Sequence, residues 1–312
     1  MLTTLQEATI KSILNIFETS QVRGDYASIT LIPGDTGGLT YGRSQTTLNG
    51  GGLFSLVTDY VADPARPYAG PLSAYLPGLK VKKAALNTDV YLCNLLRATA
   101  DYPVMRDIQD VFFDRFYWGP AAATAAGLGI QTALGVGAVY DGSVHGSFKL
   151  IRDRATAKVG SVAKAGEKKW VTTYVNERYD WLSTHPRADL RATTYRMETF
   201  KALVAHGAWD LALPLVIRGV TISPQTLSAQ PPRVFDGPPV GSRDLAVGSG
   251  VMSGRDVRAV QVALTAPALG ERLAADGHYG GASQAAVQRL QAKNSLPKTG
   301  VADGKVFKLL GL

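Results

Sequence analysis

Apolar residues recur every three to four positions through most of the first 206 residues, which is the spacing of amphipathic helices. One run, Ser28 to Ile32, instead carries β-branched residues in the manner of a strand. The pattern therefore predicts a mainly α region with one small β element. The predicted helices cover residues 4–18, 53–62, 83–97, 103–116, 121–139, 147–157, 162–182 and 189–206.

A proline-rich stretch interrupts this pattern at residues 223–243, which include Pro231-Pro232 and Gly237-Pro238-Pro239. Proline at this density does not continue a regular element, so we expect an extended, semi-rigid linker. The predicted domains are residues 1–222, the linker at 223–243, and residues 244–312. A large domain followed by a small module fits ordinary domain sizes.

Two carboxylates in the first domain are the candidate catalytic pair. Glu18 lies at the end of the first predicted helix, beside an apolar face, and Asp35 opens a glycine-rich turn seventeen residues later. Burial disfavours the charged form of a carboxyl group, which suits Glu18 as a general acid. The open turn keeps Asp35 solvated and ionised, as a base requires, and Thr40 can orient the attacking water.

Each catalytic candidate has an alternative. An isolated Glu is ordinarily a surface residue, and an isolated Asp ordinarily forms a turn. Asp25 is also downstream of Glu18 in a polar stretch, but Asp35 is favoured by its glycines and by Thr40. Arg43 can contact Asp35 and keep it ionised, or can be a surface charge.

The segment from Asp35 to Arg43 resembles the catalytic turn of the chitosanases of glycoside hydrolase family 46, relatives of the lysozyme-like enzymes. Two further segments resemble that family, residues 140–146 and the stretch from Thr193 to Gly219. The resemblance covers about residues 1–222 and implies a lysozyme-like α+β fold. It also implies an inverting mechanism, with two carboxyl groups about 6.5 to 9.5 Å apart. The residues implied are Glu18 as acid, Asp35 as base and Thr40 as water-positioning residue. We further predict that Tyr41 and Arg43, in the same segment, bind substrate.

One position departs from that family. In the chitosanases an Asp near the end of this glycine-rich stretch grips the charged amino sugar, whereas this chain has Gly52. The formal net charge of +8 also disfavours a polycation and favours an anionic polymer such as peptidoglycan. Basic charge also suits nucleic acid, so charge alone does not decide the partner.

The C-terminal residues carry a second helical pattern, which recurs at Val257, Val260 and Leu264 and again from Ala286 to Leu290, with turns at Asp276-Gly277 and Thr299-Gly300. This pattern resembles the three-helix peptidoglycan-binding module of cell-wall hydrolases. The expected ligand residues are Asp276, Tyr279 and Gln291. Each has a structural alternative, because Asp276 can form a turn, Tyr279 can be a core residue and Gln291 can cap a helix.

Other chemistry has little support in the chain. The four histidines lack the short paired spacing of a zinc site, so we predict no catalytic metal and no cofactor. A phosphate loop and a nucleophile elbow are also absent from the sequence. Cys93, the single cysteine, lies in an apolar helical set and is expected to be a core thiol in a protein made under reducing conditions.

The sequence-based hypothesis is a peptidoglycan hydrolase of the muramidase type, with a wall-binding module and an endolysin role. Its N-terminus lacks a signal peptide pattern, so we expect synthesis in the host cytoplasm and action on the wall after membrane permeabilisation. No stretch is long enough to span a membrane. The expected partner is peptidoglycan, not nucleic acid, and the expected state is a monomer. The alternatives are a chitosanase and a non-catalytic wall-binding protein.

Overall fold

The computed structural model describes residues 2–43 and 45–312, and the chain divides into two compact units. Unit 1 contains the chain up to Gly24 together with Phe113–Ala229. Unit 2 contains Asp25–Phe112 together with Gln230–Leu312. Both units are thus built from two separate stretches of sequence, and each is described by itself.

The described residues are mainly helical, with short antiparallel strands, as the sequence predicts. The strands are β1 (Ile29–Thr30), β2 (Thr40–Tyr41), β3 (Thr46–Thr47), β4 (Leu215–Ile217), β5 (Val220–Ile222), β6 (Met252–Ser253) and β7 (His278–Tyr279). The α-helices are α1 (Thr4–Thr19), α2 (Gly52–Val61), α3 (Ala69–Ser73), α4 (Leu76–Lys80), α5 (Val90–Thr99), α6 (Pro103–Phe113), α7 (Gly119–Leu128), α8 (Ala133–His145), α9 (Phe148–Val159), α10 (Val162–Ala165), α11 (Glu167–Ser183), α12 (Ala188–Arg191), α13 (Tyr195–Ala205), α14 (Pro224–Ser228), α15 (Arg255–Leu264), α16 (Gly281–Lys293) and α17 (Gly304–Leu310).

The core of unit 1 forms around α8, in which every residue from Ala133 to Gly142 is buried. Helix α1 packs against it through Ile10, Ile13 and Phe17, while α7, α9, α11 and α13 cover its other sides. Helix α1 begins at a capping box made by Thr3 and Gln6, which satisfies the free N–H groups at the helix start. The helix ends at Ser20, whose left-handed conformation terminates it two residues after Glu18.

The turn of unit 2 that contains Asp35 is carried by a three-stranded antiparallel sheet in the order β1-β2-β3. In its register Thr40 pairs with Thr30 on one side and with Thr47 on the other. The sheet packs on a core formed mainly by α2 and α5, in which Leu53, Leu56, Leu92 and Leu95 are fully buried. The predicted β element is therefore present, but its first strand is only two residues long.

The C-terminal module contains α15, α16 and α17 and a β6-β7 pair around a small core of its own. It is also part of unit 2, because Val262 and Ala275 are buried in the same cluster as the leucines of α5. The amide of Asn94 donates to Leu273 O (2.9 Å) and accepts from Ala275 N (2.8 Å), and both contacts tie the module to α5.

The structure corrects several local predictions. The single helix predicted at residues 121–139 is two helices, because Gly129 adopts φ +81° and Thr132 caps the start of α8. The helix predicted at 83–97 begins as a 3₁₀ turn, and that at 162–182 breaks at Gly166. The predicted linker contains α14, since Pro224 occupies the first turn, where its missing N–H costs nothing.

The linker region also contributes to the compact part of unit 2. Val234 is buried with Tyr26 and Ala100, and Phe235 N donates to Asp101 Oδ1 at 2.9 Å. The domain boundaries at 222 and 244 stay predictions from sequence. Among the described residues, no helix combines the length and hydrophobicity that crossing a bilayer requires.

Candidate active site

Glu18 lies in the last turn of α1, just before Ser20 ends the helix in a left-handed conformation (φ 59°). Its side chain is 44% exposed and forms an ion pair with Arg196 of α13. The sequence predicts an apolar environment for this carboxylate, and at the carboxylate itself that is wrong. The apolar side chains of α1 lie on the opposite, buried face, and the immediate partner is a guanidinium group.

Arg196 belongs to a buried charge network behind Glu18. Its Nη1 donates to Asp141 Oδ1 at 2.6 Å, and Arg178 Nη1 donates to Asp141 Oδ2 at 2.5 Å. The side chains of Arg178 and Asp141 are fully buried and that of Arg196 is 2% exposed. Burial alone would raise the pKa of Asp141, but the two guanidinium groups bring it below its ordinary value. Asp141 is therefore a carboxylate that holds two arginines, one of which holds Glu18.

His145 ends the same helix as Asp141 and extends this network. Its Nδ1 lies 3.1 Å from Nη2 of Arg178. Burial lowers the pKa of His145, and the positive charges of Arg196 and Arg178 lower it further, so the ring is neutral at pH 7. A neutral imidazole accepts a hydrogen bond from Arg178 without adding a third positive charge.

Sequence reasoning missed this network as a unit, although two of its members lie in segments that carry the family resemblance. Asp141 follows Tyr140 in the first segment, and Arg196 follows Tyr195 in the second. Arg178 had a separate signal. It falls on the apolar stripe of α11 with Val171, Tyr174 and Leu182, all of which are buried. A charge on a buried helix face requires an opposite partner.

Asp35 lies in the exposed turn between β1 and β2. Its Oδ1 accepts from Gly37 N at 3.2 Å, and its own N–H donates to Ile32 O at 3.1 Å. The glycines are required here: Gly38 adopts φ +69°, and a Cβ on it would lie 2.7 Å from Asn87 Oδ1. Asp35 is thus exposed to solvent in a turn in which a residue other than glycine does not fit at position 38.

Two asparagines with no recognisable signal in the sequence hold this turn. Asn87 Oδ1 accepts from Leu39 N at 2.7 Å, and Asn49 Nδ2 donates to Thr36 O at 2.7 Å. Thr40 Oγ1 donates to Gly38 O at 3.1 Å, so its hydroxyl lies on the turn itself and is partly exposed. Thr40 is placed on the turn that carries Asp35, and its water-positioning role stays a prediction.

The competing carboxylate Asp25 is engaged elsewhere. Its side chain is 14% exposed, pairs with Arg233, and accepts from Ala27 N at 3.1 Å. Asp35 is exposed and is held by backbone groups, so of the two carboxylates it is the accessible one, and its role as base stays a prediction.

Tyr41 and Arg43 point into unit 2. Tyr41 is fully buried and its hydroxyl donates to Leu96 O at 2.7 Å, and burial raises its pKa. Arg43 pairs with Asp110, contrary to the suggestion that it contacts Asp35, and its side chain is 7% exposed. These positions support the packing of β2 and the following turn. Substrate binding by either residue stays a prediction that their burial does not favour.

In the module the predicted ligand residues have different environments. Tyr279 and Gln291 are buried; the Tyr279 hydroxyl donates to Gly300 O, and Gln291 Nε2 donates to Val301 O. Asp276 is exposed, and its Oδ1 accepts from Gln261 Nε2 at 2.9 Å. Of the three, only Asp276 is accessible to a ligand, while the other two hold loops together as the structural alternatives expect.

Gly52, the position of the expected departure, is the first residue of α2. A Cβ added there would meet Phe112 and Thr46 at 3.5 Å, which is ordinary contact. The fold therefore has room for a small side chain at residue 52, and the chain leaves this position without a carboxylate. The described residues contain no cluster of three or more His, Cys, Asp or Glu that could hold a metal ion.

The fold and the candidate residues define the class of the protein as a glycoside hydrolase with a lysozyme-like helical architecture. Residues 12–215 match the model of glycosyl hydrolase family 46, so the chain belongs to this family. Residues 253–310 match the model described as "Putative peptidoglycan binding domain", and the chain thus carries a C-terminal module of that kind.

The chain is similar to several chitosanases. A chitosanase of Bacillus subtilis (strain 168) is 26% identical over 230 residues, which are 68% of this chain and 82% of that protein. A family 46 chitosanase of Gynuella sunshinyii, solved with chitotetraose, superposes with a TM-score of 0.57 at 25% identity, over 71% of this chain and 98% of that chain. A mutant chitosanase of Bacillus subtilis MY002 with six GlcN gives a TM-score of 0.55 at 24% identity over 70% and 96% of the two chains, and shows the fold alone.

Proposed function

We propose that this protein is a chitosanase-type glycosidase that hydrolyses β-1,4-linked amino-sugar polymers. The observation that carries the proposal is the similarity of residues 12–215 to family 46, together with chitosanases as its relatives. Glu18, Asp35 and Thr40 occupy the three positions that the family resemblance assigns to catalysis. This activity was the alternative prediction from sequence, and the comparisons support it better than the muramidase hypothesis.

In the proposed mechanism Glu18 donates a proton to the glycosidic oxygen as the bond to the anomeric carbon breaks. Asp35 accepts a proton from a water molecule, whose oxygen forms the new bond on the opposite face of the sugar. Thr40 would orient this water, and Arg196 would orient the Glu18 carboxyl group. The products are two shorter glycans, and the configuration at the anomeric carbon is inverted. Glu18 regains a proton and Asp35 releases one before the next turnover.

A second candidate substrate is the glycan strand of peptidoglycan, cleaved as a muramidase in an endolysin role. Two observations favour it. The chain has Gly52 where the amino-sugar grip is expected, and it carries a module of the peptidoglycan-binding family. The net charge of +8 adds to this, because it repels a cationic polymer and attracts an anionic one.

The deciding experiment incubates the purified protein separately with soluble chitosan and with Gram-negative peptidoglycan, and identifies products by mass spectrometry after borohydride reduction. Chitosan oligomers support the chitosanase proposal, and muropeptides ending in reduced muramic acid select the second candidate. The Glu18→Gln variant serves as control in both reactions. Products from neither polymer would reject both, and products that persist in the variant would remove Glu18 from the acid role.

Proton NMR of the first product formed tests the stereochemistry. An inverted anomeric configuration supports attack by water with Asp35 as base. A retained configuration would contradict it, since retention requires a covalent intermediate.

A further inference from the structure

One surface of unit 2 joins the C-terminal module to the start of α6. The guanidinium carbon of Arg255, the first residue of α15, lies 5.1 Å from the ring centroid of Tyr102. The Tyr102 and Tyr68 rings form an edge-to-face pair with centroids 6.3 Å apart and planes at 67°. We call these three residues the Tyr68–Tyr102–Arg255 surface. It combines aromatic faces from the glycosidase part of the chain with a cation from the module.

The side-chain polar groups of this surface are partly buried and form no hydrogen bond or ion pair with the described residues. Both tyrosines and Arg255 are partly exposed, and within residues 2–43 and 45–312 neither phenolic hydroxyl has a hydrogen-bond partner. By contrast, the hydroxyls of Tyr41 and Tyr60 in the same unit donate to Leu96 O at 2.7 Å and to Pro67 O at 2.8 Å. In the same part of the chain Arg255 forms no ion pair within 4.0 Å. The nearby buried acid, Asp101, is already bound by Arg258.

The surface is also held in place before any ligand arrives. Tyr68 precedes α3 in a left-handed conformation (φ 62°), which a residue with a Cβ adopts only when its surroundings impose it. Arg255 N donates to Gly237 O at 2.9 Å, and one turn later Arg258 Nη1 binds Asp101 at 2.5 Å. A preformed arrangement reduces the entropy that a ligand would otherwise lose on binding.

We propose that Tyr68, Tyr102 and Arg255 bind a carboxylate-bearing cell-wall glycan, the peptidoglycan strand, at a surface that is not part of the catalytic residues. The C–H face of a pyranose ring packs on an aromatic face, and tyrosine hydroxyls can bond to sugar hydroxyls. A guanidinium group binds a carboxylate with charge-assisted hydrogen bonds, whereas the ammonium groups of chitosan would be repelled. The proposal does not depend on which glycosidic bond the enzyme cleaves.

The test measures pelleting with purified Gram-negative sacculi in the Glu18→Gln background, so that the polymer stays intact. Tyr102→Ala and Arg255→Gln should each raise the apparent Kd about tenfold, as expected for contacts that contribute strongly to binding. Arg255→Lys should recover part of the loss. The matched control is Arg272→Gln, an exposed arginine of the same module, which should leave pelleting unchanged.

Three outcomes would overturn the proposal: unchanged pelleting in Tyr102→Ala and Arg255→Gln, an equal loss in Arg272→Gln, or a loss that affects chitosan beads and not sacculi. Thermal melting of every variant separates loss of binding from loss of fold. With Glu18 restored, Tyr102→Ala should cleave a soluble oligomer at the normal rate. That second assay keeps a failure of the binding surface distinct from a failure of the proposed catalytic function.

Discussion

Each unit buries an aspartate against arginine, and the two aspartates titrate in opposite directions. Asp141 in unit 1 is bound by two guanidinium groups, and its pKa is lowered in spite of its burial. Asp101 in unit 2 is bound by Arg258 and the Phe235 N–H, and burial raises its pKa to about 6. The comparison shows that one guanidinium does not offset the loss of solvent at these sites, whereas two do.

The two catalytic candidates differ in what holds them in place. Glu18 is oriented by Arg196, and therefore by the buried charges behind it. Asp35 is held by a glycine turn and by the neutral amides of Asn87 and Asn49. The position of Glu18 thus depends on paired charges, and that of Asp35 depends on backbone conformation.

The largest expected effect comes from removing either carboxylate. Glu18→Gln and Asp35→Asn should each lower kcat by about 10²- to 10⁴-fold, the range that proton transfer by a positioned group contributes. Asp25→Asn is the matched control for Asp35 and should retain activity. Initial rates on the polymer that the product analysis selects are the measurement, and equal losses at Asp25 and Asp35 would contradict the assignment.

Removing the shared partner of the two buried arginines should be the largest effect on stability. Asp141→Asn leaves Arg178 and Arg196 short of a counter-charge, and we expect a loss of about 3–5 kcal/mol in the free energy of unfolding. Urea denaturation measures it. Asp153→Asn, which breaks an exposed pair with Arg152 in the same unit, should cost less than about 1 kcal/mol. Similar values for the two variants would show that the buried network contributes little.

The same network predicts a sign for the effect of pH. Because the folded-state pKa of Asp141 lies below its ordinary value, its stabilisation is present above the unfolded pKa and is lost as the pH falls through the folded one. The stability of Asp141→Asn should accordingly change less than that of the wild type on acidification below about pH 4. Parallel curves for the two proteins would reject this contribution.

A smaller effect is expected at the turn of Asp35, and two glycines there form a matched pair. Gly38→Ala combines a left-handed φ with a contact of 2.7 Å to Asn87, whereas Gly34→Ala has the same kind of φ (+82°) and no atom within 4 Å. Both should lose about 1–2 kcal/mol of stability from backbone strain. Only Gly38→Ala should also displace the turn and lower kcat, and an equal loss of kcat in both variants would contradict this.

The smallest effect is expected at Asp101. Its folded-state pKa of about 6 lies above its ordinary value, so the folded protein binds this proton more tightly than the unfolded chain does. The stability that this proton contributes is lost as the pH rises through the folded-state pKa. The free energy of unfolding should therefore fall by about 1 kcal/mol between pH 5 and pH 7 because of this group. The decline should be absent in Asp101→Asn, and an unchanged slope would contradict the assignment.

Local patterns predicted much of the fold. Helical spacing located α1 to within one residue at its C-terminal end and α2 to within one residue at both ends. The break between α7 and α8 was missed, because a run of Ala and Gly is compatible both with one long helix and with two helices separated by Gly129. Which one forms depends on the capping of α8 by Thr132, a detail that the hydrophobic pattern does not record.

The candidate site was predictable only as far as each residue acts alone. Glu18 and Asp35 could be selected from their own neighbours in sequence. The partners that hold them come from distant positions, since Arg196 is 178 residues from Glu18 and Asn87 is 48 residues from Leu39. Tyr279 and Gln291 show the converse, because residue types that suit ligand binding are used here to fasten loops of the module.

The discontinuous path of the chain has a consequence for its synthesis. The ribosome synthesises Asp25–Phe112 and then all of Phe113–Ala229 before it synthesises Gln230–Leu312, the second stretch of unit 2. Until then Asn94 lacks Leu273 and Ala275, and the leucines of α5 lack Val262. The nascent turn of Asp35 therefore belongs to an unfinished unit until the C-terminal module has been synthesised and completes it.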